Sequence, residues 1–400
     1  MPNKIGRLFY RLACWFFCLF PLKKNVVFLS NFNGKSYGDN IKYACESLRD
    51  KNASLNFVLM VDQTYPLDVV PSYIRQVKKN SIKCAFYLSR TPVIISNVRM
   101  VYFKKRKEQF YIQTWHGGGG QKKCEADVAD KLGEKYIKMA QKDSKKTDLM
   151  ISESRFITEL YHKSFWYDGP VYECGYPRYD VLLSNDHSIR KRVCDYYSLP
   201  QGIGFVLYAP TFRADGSFKA YNIDFCRLLK NLKQRFGKEF AVLVHLHPNV
   251  ASVKGGIKYN ERVINATFYP DMQELIACSD VLIGDYSSVN YDFCLQEKPV
   301  FRYVMDLKDY QNDRDTYYPF TDYPYPYALN NDELEQIILE FDEEEYLKGL
   351  NDLFDRLGAV RANDASAKVA SVICDMISSK NKKSFFQKNK QLFVWKEKEQ

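Results

Sequence analysis

The chain has 400 residues, 46% of them apolar and 26% charged, which excludes a disordered polymer and supplies two domains of roughly 150–200 residues each. A net charge of +10, from 58 Lys and Arg against 48 Asp and Glu, favours anionic partners without choosing among phosphorylated small molecules, nucleic acid and anionic lipid. Eleven cysteines without a CxxC pair exclude a zinc ribbon and a secreted disulfide framework, and read as a reducing, cytosolic compartment.

The first 24 residues contain "RLFYRLACWFFCLFPLKK". The apolar run from Leu12 to Leu22 is shorter than the roughly 20 residues a membrane span needs. No small-residue cleavage site follows it. Arg7, Arg11, Lys23 and Lys24 around Trp15, Phe16, Phe17 and Phe20 fit an interfacial helix, and residues 1–24 are read as a membrane-associating segment. An ordinary buried first helix remains the alternative.

From residue 25, short apolar runs alternate with helical stretches. The runs at 25–32, 54–61, 92–98, 109–115, 147–154 and 169–175 form one series. After a polar helix over 188–200, those at 204–210, 240–248, 262–267, 280–288 and 299–304 form another. Such alternation predicts parallel sheets in an α/β fold. The reading is two Rossmann-like, doubly wound domains, 25–190 and 191–375, with ligands at the carboxyl ends of the strands in a central cleft. The basic stretch 376–400, with Phe385, Phe386, Phe393 and Trp395, reads as a second surface anchor or a frayed tail.

The unusual polar residues fall where predicted strands end. "QTWHGGGGQKK" (113–123) sets His116 before four glycines, with Lys122 close behind. It is neither a Walker A loop nor a GxGxxG fingerprint. Gly117 and Gly118 read as backbone that an anion or hydroxyl-bearing substrate can approach. His116 is a candidate general base, or else a structural histidine beside a flexible loop. Thr211 and Arg213 follow "VLYAP"; His245 and His247 end "FAVLVHLHP". A metal on the two histidines would need further ligands, so no metal is expected, and phosphate recognition is preferred. In "GDYSS", Asp285, Ser287 and Ser288 open a helix whose free N–H groups suit phosphate, or Ser287 and Ser288 act as a plain N-cap. Arg314, inside "DRD", has the fork geometry for a phosphate.

With these residues assembled, the chain resembles the CDP-glycerol:poly(glycerophosphate) glycerophosphotransferase family. The likeness is carried in family order by "GKSYGDN" (34–40), "QTWHG" (113–117), "CGYPRYD" (174–180), "YAPTFR" (208–213), "HLHPN" (245–249), "SDVLIGDYSSVNYDF" (279–293) and "DLKDYQNDRDTYY" (306–318). It implies a GT-B type fold with an amino-terminal acceptor domain and a carboxyl-terminal nucleotide domain. It also implies transfer of glycerol phosphate, or ribitol phosphate, from CDP-glycerol or CDP-ribitol to a hydroxyl of a polyprenyl-diphosphate-linked or glycan acceptor. CMP would be released, with no cofactor beyond the donor. The implied location is peripheral, on the cytoplasmic face of the bacterial membrane, in teichoic acid or capsule synthesis. Family positions carry onto His116 as base, onto His247, and onto Asp285, Ser287, Ser288 and Arg314 around the donor phosphates. The loop after His116 departs from the family's Gly-Thr-Pro-Leu-Lys, and His245 stands where the family often has arginine. A GT-B glycosyltransferase acting on a nucleotide sugar is the rival reading. Nucleic acid is not an expected partner, because no basic stripe carries interleaved aromatics.

Overall fold

A computed structural model describes residues 4–62, 69–100, 103–184, 186–211, 213, 221–246, 257–308 and 315–396. It divides into two compact units. The first comprises residues 1–117, 124–180 and 359–400, and the second residues 118–123 and 181–358.

In the first unit, β1 (Val26–Ser30), β2 (Asn56–Val61), β3 (Ile74–Lys78), β4 (Val93–Ser96), β5 (Phe110–Gln113), β6 (Leu149–Ser152) and β7 (Val171–Glu173) form one sheet. Their order is β3-β2-β1-β4-β5-β6-β7, and every pairing is parallel. The second unit has β8 (Gly204–Tyr208), β9 (Phe240–Val244), β10 (Val263–Asn265), β11 (Val281–Gly284), β12 (Val300–Tyr303) and β13 (Tyr327–Ala328) in the order β10-β9-β8-β11-β12-β13, again parallel throughout. Each order runs one way from its first strand and then the other, so right-handed crossovers place helices on both faces. These are the two doubly wound α/β domains of a GT-B type chain. Strands such as "VVFLS" and "FAVLV" are buried at every residue, as a sheet covered on both sides requires.

The unit boundaries differ from those drawn on the sequence. Residues 359–400 return to the first unit, where the helix Ala365–Ser378 packs on the helix Asp39–Lys51. The segment 376–400 is not a frayed tail over its described length. Phe385 is fully buried, its ring 5.2 Å from that of Phe110. Val394 exchanges two 2.8 Å backbone hydrogen bonds with Val171, extending the β7 edge.

The amino-terminal helix Lys4–Phe17 buries one face and exposes another. Tyr10 and Cys14 belong to the core with Phe28, Val58, Cys84 and Tyr111. Leu8, Phe9, Leu12, Trp15 and Phe16 on the same helix, and Leu19 and Phe20 after it, are exposed, from 41% for Phe20 to 67% for Leu19. Among the described residues no helix is long and apolar enough to cross a membrane.

The glycine run is divided between the units: Gly117 ends a segment of the first, and Gly118–Lys123 belongs to the second. Gly119 and Gly120 have φ of 66° and 56°, a region that side chains resist. What comes close to this backbone is Tyr291, fully buried in the helix Val289–Cys294: a Cβ on Gly119 would lie 2.5 Å from its ring. Gly119→Ala therefore combines backbone strain with a clash and is expected to destabilise the second unit by about 1–3 kcal/mol. Gly133→Ala, at a position with φ of −69° and open space around it, serves as the control in thermal melts. Equal midpoints for the two variants would refute the packing role.

Candidate functional site

Polar residues gather at the carboxyl ends of both sheets, where crossover direction reverses and ligands of such folds bind. In the first unit this point lies between β1 and β4. His116 follows β5, and its Nδ1 lies 2.7 Å from the carbonyl oxygen of Asn97, just beyond β4. A carbonyl only accepts, so Nδ1 carries the proton and Nε2 keeps its lone pair. Burial lowers the imidazole's pKa against the opposing pull of the Asn97 bond, which favours the neutral ring. The ring packs at 4.6 Å from Trp115 and 5.3 Å from Phe32.

The backbone on either side of His116 is clamped by residues from two distant sequence blocks. Trp115 takes φ of 55°. Asn40 Nδ2 donates to the Trp115 carbonyl (3.2 Å), and its Oδ1 accepts from the Arg178 backbone N–H (3.2 Å). Arg178, 1% exposed, donates from Nη1 to the His116 carbonyl (3.0 Å) and to Asp39 Oδ2 (3.3 Å). Asp39, Asn40 and Arg178 were not singled out from the sequence. They stand inside "GKSYGDN" and "CGYPRYD", two of the blocks that carry the family resemblance. Tyr176, in the second block, donates to the Gly117 carbonyl at 3.2 Å.

In the second unit the reversal lies between β8 and β11. Asp285, 2% exposed, follows β11. Its Oδ2 accepts from the Thr211 backbone N–H and from Arg213 Nη1, both at 2.8 Å, and its Oδ1 accepts from the Thr211 hydroxyl. Arg213 Nε also donates to Asp306 Oδ2 at 2.5 Å, and the Tyr286 hydroxyl donates to Asp306 Oδ1 at 2.9 Å. Burial works against the charge on Arg213, but the bonds to Asp306 and Asp285 outweigh it and hold its pKa above the ordinary value. Thr211, Arg213 and Asp285 thus brace the ends of two strand loops. Asp306 and Tyr286 join that brace without having been marked in the sequence.

Beside the brace is a cavity of about 400 Å³ whose wall includes Lys122, Asp285, Tyr286, Asn290 and Arg302. Lys122 reaches it because residues 121–123 pair antiparallel with 315–317, through the Lys122–Thr316 bridge and the bond from Lys123 N–H to the Asp315 carbonyl (2.9 Å). Arg302 was missed from the sequence. It lies within β12, 3% exposed, with its guanidinium 3.6 Å from the Phe320 ring centroid. Its hydrogen bonds go to the carbonyls of Phe320 (2.8 Å) and Tyr325 (2.6 Å from Nη2). Burial pulls its pKa down to about 10. An arginine inside "PVFRYV" is the sequence signal, since a buried strand rarely carries a charge without use for it.

The remaining candidates fall as follows. Ser287 Oγ accepts from the Val289 N–H at 3.3 Å, whereas Ser288, the N-cap residue of the short helix Val289–Cys294, makes no side-chain capping bond. The His245 backbone N–H donates to the Tyr208 carbonyl at 2.9 Å. His247 and Arg314 lie outside the described residues. Among the described residues no cluster of His, Cys, Asp and Glu could hold a metal ion.

Comparison with known proteins places this geometry in context. The family model described as CDP-Glycerol:Poly(glycerophosphate) glycerophosphotransferase matches residues 12–375. A teichoic acid poly(glycerol phosphate) polymerase of Staphylococcus epidermidis is 28% identical over 369 residues, 88% of this chain and 51% of its own length. A teichoic acid poly(ribitol-phosphate) polymerase of Bacillus spizizenii is 27% identical over 362 residues, 84% of this chain and 54% of its own. The chain spans about half the length of these two relatives. The solved structure of the wall teichoic acid polymerase TagF superposes with a TM-score of 0.79 at 26% identity, covering 94% of this chain and 98% of that one.

Removing one member of a buried ion pair strands the other, at about 3–5 kcal/mol. Asp285→Ala is expected to destabilise the second unit on that scale, with a smaller loss for Asp306→Ala, whose side chain is 24% exposed. Urea unfolding measures both, and an unchanged midpoint for Asp285→Ala would contradict the bracing role.

Proposed function

We propose that this chain, which belongs to the CDP-Glycerol:Poly(glycerophosphate) glycerophosphotransferase family, transfers a polyol phosphate from a CDP-activated donor to a hydroxyl of a lipid-linked acceptor, releasing CMP. Glycerol phosphate is the preferred unit, ribitol phosphate the alternative, and the product a teichoic acid or capsule-type polymer. One observation carries the reading: a histidine whose Nδ1 proton is held on the Asn97 carbonyl, leaving Nε2 to accept a proton.

In the proposed reaction the acceptor hydroxyl gives its proton to His116 Nε2 as its oxygen attacks the β-phosphorus of the donor. The bond from that phosphorus to the bridging oxygen breaks, and CMP leaves with the electron pair. Such a transfer depends on positioning and on stabilising charge on the phosphoryl oxygens. Lys122 and Arg302, on the wall of the 400 Å³ cavity beside Asp285, are the cations we assign to the donor diphosphate. His247 and Arg314 keep the donor-phosphate roles that the family resemblance implies. We place the chain peripherally on the cytoplasmic face of the membrane, a position supported by the exposed apolar face of its first helix.

His116→Ala is expected to lower CMP release by about 10²–10⁴-fold, the usual contribution of a general base, while CDP-glycerol binding stays intact. Equal loss of both would refute the role. Because the folded imidazole titrates below its ordinary value, the base stays neutral to lower pH, and the acid limb of kcat/KM should fall below pH 6.5. A limb at or above that value would count against His116. Parallel incubations with CDP-glycerol, CDP-ribitol and UDP-sugars identify the donor, and release of UDP alone would favour the glycosyltransferase reading.

A further inference from the structure

A second cavity, of about 940 Å³, lies wholly within the first unit. Its walls are the helix Lys4–Phe17, the residues Met100, Phe103, Lys104 and Lys105, and the helix Glu134–Ser144 with Lys146 after it. Seven Lys and Arg side chains line it against one acidic residue, Asp143. Asp143 is committed elsewhere, accepting the Met100 N–H at 3.1 Å and standing 3.6 Å from Arg99. Lys105 pairs with Asp148 at 2.5 Å, and Lys138 with Glu134 at 3.1 Å. Lys146 donates to the Phe103 carbonyl at 2.9 Å. Among the described residues, Arg11, Lys104, Lys135 and Lys142 have no carboxylate partner.

The arrangement comes from helix register. Lys135, Lys138 and Lys142 are spaced at i, i+3 and i+7 and share one face. Gathering like charges around one cavity costs free energy that a multivalent anion recovers. At the rim, Lys104 lies 5.7 Å from the ring of Trp15, which is 54% exposed and continuous with the apolar face of Leu8, Leu12 and Phe16. The ligand that fits is therefore a multiply charged phosphate joined to a long apolar chain. One phosphodiester charge would leave most of the four cations unanswered. The inner wall connects to the candidate base. The Tyr136 hydroxyl donates to Glu125 (2.6 Å), Glu125 pairs with Arg99 (2.9 Å), and Arg99 lies 5.9 Å from the ring of Trp115, beside His116.

We propose that this cavity binds the diphosphate of a polyprenyl-diphosphate-linked acceptor, with the isoprenoid laid along the exposed face of the helix Lys4–Phe17. The proposal rests on the reading of the chain as a transferase acting on a lipid-linked acceptor, and it assigns the subsite for that acceptor's anchor.

The test is calorimetric titration of the full chain with farnesyl diphosphate, a water-soluble probe. Saturable binding is expected, weakened about tenfold or more by Lys135→Glu with Lys142→Glu, both exposed positions, and by added salt. Lys380→Glu with Lys383→Glu, on the same unit but away from the cavity wall, should bind as the parent chain does. Inorganic diphosphate should displace the probe, whereas monomeric dihexanoyl-phosphatidylglycerol should not. The proposal is overturned by absent or non-saturable binding, by equal losses in the two double variants, or by equal displacement by the phosphatidylglycerol, which would assign the cavity to bulk anionic lipid. CMP release from CDP-glycerol onto a water-soluble glycerol phosphate acceptor, measured on the parent chain, should survive Lys380→Glu with Lys383→Glu. No release by the parent chain would sink the activity but leave the binding result standing.

Discussion

Parallel strands cannot be joined by tight turns, and each crossover must pass over one face of the sheet in a right-handed sense. When the direction of travel reverses, the two central strands send their following loops apart and a gap opens at their carboxyl ends. That gap occurs once in each unit, between β1 and β4 and between β8 and β11. His116 is tied to the first through Asn97, and Asp285 stands at the second. Both groups of polar residues have their places because the sheets wind both ways.

Buried charge keeps those gaps in shape. Desolvating Asp39 with Arg178, or Asp285 with Arg213, costs several kcal/mol per ion before any attraction is counted, so neither pair is justified by stability alone. What each pair supplies is geometry. Arg178 fixes the carbonyl of the histidine through hydrogen bonds of set length, and Asp285 holds Thr211 and Arg213 at once. A hydrophobic pair of equal volume would fill the space without fixing the angle of a neighbouring carbonyl.

The glycines after His116 show how one piece of backbone serves two demands. Gly119 and Gly120 take conformations with positive φ, and Tyr291 occupies the space a side chain at residue 119 would need. The same tight course lets residues 121–123 pair with 315–317, which brings Lys122 to the cavity beside Asp285. The run is costly in backbone entropy, and close packing offsets that cost.

The sequence by itself determined the α/β class and most of the strands, because fully buried strands must be apolar at every residue. It missed β3, an edge strand buried mainly at Ile74 and Val77, and β13, which has two residues; neither is long or apolar enough to register. It marked His116, Thr211, Arg213 and Asp285, since a polar group ending an apolar run is visible in one dimension. Tertiary structure alone decided that Arg178 reaches back across 62 residues to the His116 carbonyl, and that Arg302 lines the cavity holding Lys122. It also decided that residues 359–400 complete the first unit and that Phe385, within a lysine-rich stretch, is core. Local pattern reports which face of an element is apolar; which element covers that face depends on long-range packing, and pattern carries no information about it.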